Sequence, residues 1–282
     1  MCAAHISPAP RGRPAPVPPI DPSRFEPTAD HPVRAKSRLL RADSHVEPHS
    51  HPWAQVVFSA FGVVRTTVGD GTFIVPPSRA LWIPPDALHR VSVIEDAELR
   101  TLYIHQPAGH CGPGVEAAGE PRWHDCRVLE VSSLLRELVL SLPTAPGVPE
   151  PSVRAKSLAS LVLDELRNAR AVPLGVDLPR DKRLRSLCEA VLDEPTRHAT
   201  LEAWARDSGA SARTVARLFR SELGTTFLQW RQQVLLAKAV SMAGRRMPMS
   251  RIAAELGYAS PSAFSAMVRR SVGAPPSRFL AG

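Results

Sequence analysis

Residues 49–55 read HSHPWAQ and residues 84–89 read PPDALH. His49 and His51 lie one residue apart, Gln55 follows four residues on, and His89 sits on a later segment. In an extended segment alternate side chains share a face, so His49 and His51 point the same way, as a chelate requires. Neutral imidazoles suit zinc, iron, nickel or copper, so a divalent transition metal is one expected cofactor. Gln55 contributes an amide oxygen without charge, which makes the donor set weaker than one containing a carboxylate. His45 and Glu47 lie just upstream and could substitute if the strand bends. A pocket that holds a small molecule without metal fits the same residues, with His49, His51, Gln55, Trp82 and His89 as its lining and Trp53 as a further wall. The two tryptophans could equally be core aromatics. A metalloenzyme, a metal sensor and a metal-free pocket all stay open on these residues alone.

The elements that must position these groups follow from the rest of the chain. At 282 residues and 44% hydrophobic content, the chain has room for two ordinary folded domains. No stretch approaches the ~18 apolar residues of a membrane span. The first 30 residues lack an apolar signal core, so a cytoplasmic protein is expected. Cys2, Cys111, Cys126 and Cys188 are scattered without a CxxC pair, and reduced structural thiols are expected. A redox response through Cys111 and Cys126 is the alternative, with HDC at 124–126 the segment to watch.

Eight prolines between Pro8 and Pro27 predict a disordered tail over 1–30. From about 33 to 106 short β-branched runs follow one another. QVVFSAFGVVRTTV (55–68), Gly69-Asp70-Gly71 and TFIV form a hairpin signal, and ALWI, HRVSVI and LRTLYIH continue the series. An all-β barrel or sandwich is expected over 31–125. VLEVSSLLRELVLSL (128–142) and SVRAKSLASLVLDELRNAR carry apolar stripes at helical spacing, which predicts a helical connector over 126–178. That connector could form a homodimer interface or pack within the chain.

The formal charge of +8 is uneven. Residues 181–282 hold 16 Lys and Arg against 8 Asp and Glu, whereas residues 1–180 hold 19 of each. A basic domain beside a neutral one points to a polyanion as partner. In that basic third, Thr200 can cap LEAWARDSG, which stops at Gly209, and Ser211 opens ARTVARLFRSEL. Val215, Leu218 and Phe219 make the inner face of the second helix and Arg213, Thr214, Ala216, Arg217 and Arg220 the outer one. Two short helices with a glycine-containing turn form a helix-turn-helix. FLQWRQQVLLAKAVSMAG (227–244) suits a rigid spacer. Ser250 then caps RIAAELGY, and Ser260-Pro261 opens SAFSAMVRRSVG, repeating the device. The two units cover about 198–222 and 247–271. Two recognition helices on one frame can enter successive major grooves about 34 Å apart.

With SARTVARLFRSELG, WRQQVLLAKA and IAAELGYASPSAFSAMVRRSVGAPPSRF in view, residues 179–282 resemble the DNA-binding domain of the AraC/XylS family of bacterial transcription regulators. Val268 departs from the aromatic residue usual there. The resemblance implies double-stranded DNA as partner and places base-reading positions at Ser211, Arg213, Ala216 and Arg217, with Arg220 beside them. Arg213 and Arg217 are the candidates for bidentate bonds to guanine. Ser260, Ser262 and Ser265, poor in long donors, imply positioning and shape readout. Arg269, Arg270 and Arg278 are then expected as phosphate contacts or as plain surface charge. RNA polymerase is a further partner if the protein activates.

The amino-terminal strands are similar to a cupin, a small barrel used by many such regulators as a sensory domain. The cupin metal pattern maps onto His49, His51 and His89, with Gln55 where a glutamate is usual and Asp86 where a glycine is usual. The combined expectation is a multidomain β + α chain with a cupin-like β-barrel, a helical connector and an all-α double helix-turn-helix domain. It would be a regulator responding to a small molecule or a metal, and not an enzyme. Cupin catalysis is the remote alternative, because an enzyme has no evident use for two helix-turn-helix units.

Overall fold

The protein, seen in a computed structural model, is described over residues 15–18, 21–114, 120, 123–147, 152–172 and 175–280. Its amino-terminal part is mostly β. One six-stranded sheet runs in the order β1 (Ala15–Val17), β3 (Ser44–His49), β8 (His89–Val93), β5 (Val64–Val68), β6 (Gly71–Val75) and β12 (Gly175–Asp177). The other runs β11 (Ala171–Val172), β10 (Arg127–Glu130), β7 (Arg79–Ile83), β4 (Ala54–Phe61), β9 (Ala97–Ile104) and β2 (Val33–Leu40). All pairings are antiparallel except β1 with β3.

Residues alternate between two buried faces in the second sheet. Val57, Leu81 and Ile83 join the interior shared with the first sheet. Val56, Phe58, Ala80 and Trp82 face outward, under the helices α1 (Ser133–Ser141) and α2 (Val153–Asn168). Burial on both faces explains why AQVVFSAF and RALWI read as continuous apolar runs. The long run 55–68 is broken where Gly62 takes a φ of +73°. A Cβ there would lie 2.1 Å from the Asp96 carbonyl oxygen, so only glycine lets β4 turn into β5. Gly69 and Asp70 then form the two-residue turn of the β5–β6 hairpin.

Two expectations change. Within the segment expected to be a disordered tail, β1 pairs with β3 and a short 3-10 helix, Pro22–Phe25, buries Phe25 against the barrel. Residues 1–14 and 19–20 lie outside the described residues. The region expected as a purely helical connector from 126 contributes β10, β11 and β12 to the two sheets. Val128 and Leu129 pair with Leu81 and Ala80 of β7 instead of opening a helix, and α1 starts only after its cap, Ser132. The connector helices pack on each other and on the outer sheet face, leaving Leu134, Leu161 and Val153 exposed.

The last third is helical: α3 (Lys182–Asp193), α4 (Leu201–Asp207), α5 (Ala212–Leu223), α6 (Phe227–Gly244), α7 (Met249–Glu255), α8 (Pro261–Val272) and α9 (Pro276–Phe279). Thr200, Ser211 and Ser260 cap α4, α5 and α8 as expected, and Thr226 with Gln229 forms a capping box on the spacer α6. Ser250 does not cap α7, which begins two residues earlier than that cap would place it, with Pro248 at the cap position. Val268 is fully buried beside Phe264 and Met267, so the smaller residue still fills its place.

The barrel and the helical third share one apolar interior. Val176 and Leu178 connect barrel residues to α3 and α6 within it. The Trp230 indole donates to the Asp177 carbonyl at 2.8 Å, and Arg79, buried in the barrel, donates to the Phe279 carbonyl at 2.6 Å. Arg65 pairs with Asp193 at 3.0 Å, Arg180 with Asp70 at 3.1 Å, and Arg245 with Glu95. The turn at Gly62 offers a direct check on this architecture. Gly62→Ala is expected to lower the unfolding free energy by about 2 kcal/mol or more, read from urea melts.

Candidate functional site

His49, His51 and His89 meet between the two sheets, with donor atoms all within 4.8 Å of one another. Among the described residues no other group of three or more His, Cys, Asp or Glu side chains comes together in this way. The strand alternation invoked for His49 and His51 is only part of the cause. Val46 already faces the interior, so regular alternation would turn His49 outward. A bulge between Val46 and His49 resets the phase and places His49 opposite His89 on β8. His51 lies beyond the end of β3, where its carbonyl accepts from Asp86 N at 2.9 Å. Asp86 takes a φ of +61°, a conformation open to Asp as well as to Gly, and so the turn before His89 forms without the usual glycine.

Each imidazole is fixed by a backbone carbonyl. His49 Nδ1 bonds Glu47 O at 2.9 Å, His51 Nδ1 bonds Trp53 O at 2.8 Å, and His89 Nδ1 bonds Ala87 O at 2.8 Å. A carbonyl can only accept, so each Nδ1 carries the proton and each Nε2 presents a lone pair. His89 Nε2 is buried and has no partner. His51 Nε2 lies 2.8 Å from the Gln55 side-chain amide, which can donate to it through its NH2 end or turn its oxygen toward a shared cation. Burial lowers the pKa of all three histidines, that of His89 to about 4, which disfavours the proton. Three aimed lone pairs, one of them orphaned, and an amide oxygen fit a transition metal. Bound there, such an ion would supply a Lewis-acidic anchor for a ligand atom.

The structure brings His49, His51, Gln55 and His89 together. It places Trp82 elsewhere: that ring lies on the outer face of β7, its indole donating to the Trp123 carbonyl at 2.9 Å beneath the connector helices. His45 pairs with Glu47 at 3.2 Å and neither joins the cluster. Trp53 does form a wall, stacked on His51 with ring centroids 5.3 Å apart. Tyr103, Phe25 and Lys36 were not foreseen. Tyr103 meets His51 edge-on at 5.0 Å, Phe25 packs with Trp53 and Tyr103, and Lys36 Nζ bonds the Tyr103 hydroxyl. Burial pulls the Lys36 pKa down to about 8, with the charge of Arg38 adding to the effect.

Among the described residues the cysteines, Cys111, Cys126 and Cys188, offer no activated thiol. Burial raises the Cys111 pKa, and Cys111 Sγ is bonded to the Trp123 carbonyl. Burial and the nearby Asp125 push Cys126 up to about 12. A redox response through low-pKa thiolates at these two positions has no support in this geometry.

On α5, Val215 and Phe219 are buried while Ser211, Arg213, Thr214, Arg217 and Arg220 are exposed and Ala216 is half-buried. Ser211 Oγ is engaged as the helix cap, accepting from Thr214 N at 3.1 Å. On α8, Ser262, Ala266, Arg269 and Arg270 are exposed, Ser265 is half-buried, and Ser260 Oγ accepts from Ala263 N as its cap. Arg278 lies instead at the junction with the barrel, where it and Arg79 and Arg170 lower the Glu130 pKa after the dominant Arg170 hydrogen bond.

Residues 204–282 match the family model of a helix-turn-helix domain, and residues 36–228 match that of an AraC-like ligand binding domain. The chain belongs to the AraC family. Within that family it is 30% identical over 233 residues to the HTH-type transcriptional regulator NimR of Escherichia coli K12, covering 83% of this chain and 81% of that protein. It is 28% identical over 119 residues to the arabinose operon regulatory protein of the same organism, covering 42% and 41%. Among solved structures, ToxT from Vibrio cholerae overlaps 88% of this chain and 97% of its own at 10% identity, with a TM-score of 0.35. This AraC-family chain is a DNA-binding transcription regulator with an amino-terminal ligand-binding domain. No helix among the described residues is long and apolar enough to cross a membrane.

The neutral histidine cluster has a stability consequence. The unfolded chain holds His89 at its ordinary value of 6.5, so below that pH it binds more protons than the folded chain. Its contribution is present above pH 6.5 and is lost as pH falls toward 4. With a chelator present, acidification from pH 7 to 4 is expected to cost on the order of 3 kcal/mol from His89. His49 and His51 add in the same direction. Chemical denaturation across that range checks the slope, and a flat profile would contradict the neutral cluster.

Proposed function

We propose that this regulator senses a divalent transition-metal ion held by His49, His51 and His89, with Gln55 as a fourth donor, and that occupancy alters its DNA binding. The observation that carries the reading is the convergence of three Nε2 lone pairs whose tautomers are fixed by backbone carbonyls. The route proposed to the DNA-binding helices is short. β3 and β8, which carry His49 and His89, belong to the same sheet as β12, and β12 holds Trp230 of α6. A ligand that favours one register of that sheet would shift the population of domain arrangements.

In this reading α5 and α8 enter successive major grooves. Arg213 and Arg217 read guanine edges, Arg220 and Ala216 flank them, and Ser260, Ser262 and Ser265 position the second helix against the backbone and its shape. Arg269 and Arg270 contact phosphates. The exposed Leu134, Val153 and Leu161 of the connector suit a homodimer, and RNA polymerase becomes a partner if the bound protein activates. In this reading the protein works in the cytoplasm as a regulator, supported by the match of residues 36–282 to ligand-binding and helix-turn-helix models.

A footprint on DNA flanking its own gene, at fixed salt and with zinc or chelator, tests the reading. Protection of two successive major grooves per subunit that changes with zinc is expected, and protection indifferent to zinc would remove the metal from the account. Arg213→Ala and Arg217→Ala are each expected to cost about 1–3 kcal/mol on the protected site and to relax preference at one base pair. Arg269→Ala should weaken binding to all sequences alike and lower the salt slope by about 1.

A further inference from the structure

The histidine cluster holds no charged protein donor. All four donor groups, three imidazoles and the Gln55 amide, are neutral. Among the described residues no carboxylate joins the cluster, Glu47 pairing with His45 instead, and the Lys36 charge disfavours protonation of all three histidines. Lys36 itself has no carboxylate partner among the described residues. Its one recorded bond is to the Tyr103 hydroxyl, and its Nζ sits 4.8 Å from the centre of that ring. A divalent ion placed in this cluster would add its charge to that of a nearby ammonium, with nothing negative to offset either. Burying like charges without a counter-charge is strongly unfavourable.

The hydrogen-bonding inventory runs the same way. The Tyr103 hydroxyl accepts from Lys36 and keeps its own proton to donate, and it is wholly buried. The Trp53 indole N–H is buried in the same aromatic group and has no acceptor. Lys36, Tyr103 and Trp53 are therefore donors short of an acceptor, beside a cluster short of a negative charge. His49 and Lys36 are half-buried, so each keeps some contact with solvent.

We propose that the barrel binds a small molecule bearing a carboxylate, whose oxygens complete the metal centre and accept from Lys36 and Tyr103. This inference rests on the metal reading above and names the class of effector that the metal recruits. The replacement of a charged ligand by Gln55 then has a purpose: the missing charge arrives with the effector, and the centre is complete only when both are bound. Occupancy by metal alone leaves the site electrostatically unfinished.

The test uses the full-length protein loaded with cobalt(II), whose visible absorption reports its ligands, titrated with acetate and with acetamide, the neutral isostere of acetic acid. A cobalt band that shifts with acetate and is unmoved by acetamide is expected. Lys36→Met is expected to bind cobalt at least as tightly as wild type, because a like charge is removed, and acetate at least tenfold more weakly. Gln55→Glu places a carboxylate in the protein and is expected to bind cobalt more tightly while losing at least tenfold in acetate affinity. Thermal melts confirm that each variant folds, and Gln55→Glu decides the matter if Lys36→Met does not. Absence of any cobalt band in wild type overturns the metal reading and this proposal with it. A cobalt band indifferent to acetate, or acetate affinity unchanged in Gln55→Glu, overturns this proposal alone. Inorganic phosphate shifting the band while acetate does not would likewise reject the carboxylate.

Discussion

The bond from the Trp230 indole to the Asp177 carbonyl joins a barrel strand to the spacer between two helix-turn-helix units. Asp177 ends β12, a three-residue strand at the edge of the first sheet, and that sheet reaches back through β6, β5 and β8 to β3. Trp230 in turn packs edge-on against Phe219 of the recognition helix α5, with centroids 5.7 Å apart. A hydrogen-bonded sheet and an aromatic contact thus separate His89 from the DNA-reading face. Packed elements of this kind exchange between discrete arrangements more readily than they deform, which suits them to the relay proposed for this regulator. The shared apolar interior around Val176, Leu178 and Trp230 makes the barrel and helical third one mechanical body in this arrangement.

Within the barrel, position and protonation are settled by the backbone. A bulge turns His49 inward, a left-handed Asp86 brings the following turn against His51, and three carbonyls hold the imidazole protons on Nδ1. Burial keeps the rings neutral. The result is a set of aimed lone pairs with no carboxylate among the donors, and the proposed occupant is a cation together with an acid.

Much of this was legible in the residues. The capping serines and threonine, the glycine turns and the apolar spacing place α4, α5, α6 and α8 within a residue or so of their positions, because helix ends are written in local side-chain chemistry. HSHPWAQ and His89 marked the cluster. What escaped depends on partners distant in sequence. The expectation that apolar side chains face the interior and polar ones the solvent fails where helices cover the outer face of a sheet. On β2, Val33 and Ala35 pack outward under α1 and α2, so Lys36 turns to the site side. Trp82 goes outward by the same alternation. Val128 and Leu129, read as the start of a helix, were claimed by the open edge of β7, a partner that no local pattern announces. Phe25 lies amid prolines, and its burial depends on a barrel surface far away in sequence.

Coupling between the barrel site and DNA is reciprocal if it exists at all, because linkage requires each ligand to change the affinity of the other by one factor. The most direct test is the zinc affinity of the free protein against that of the same protein saturated with the DNA it protects, measured by competition with a chelating dye at one salt concentration. The account predicts that the two constants differ by a factor of about five or more, matched by the factor by which zinc shifts DNA affinity. Equal zinc affinity in the free and DNA-bound states would contradict it.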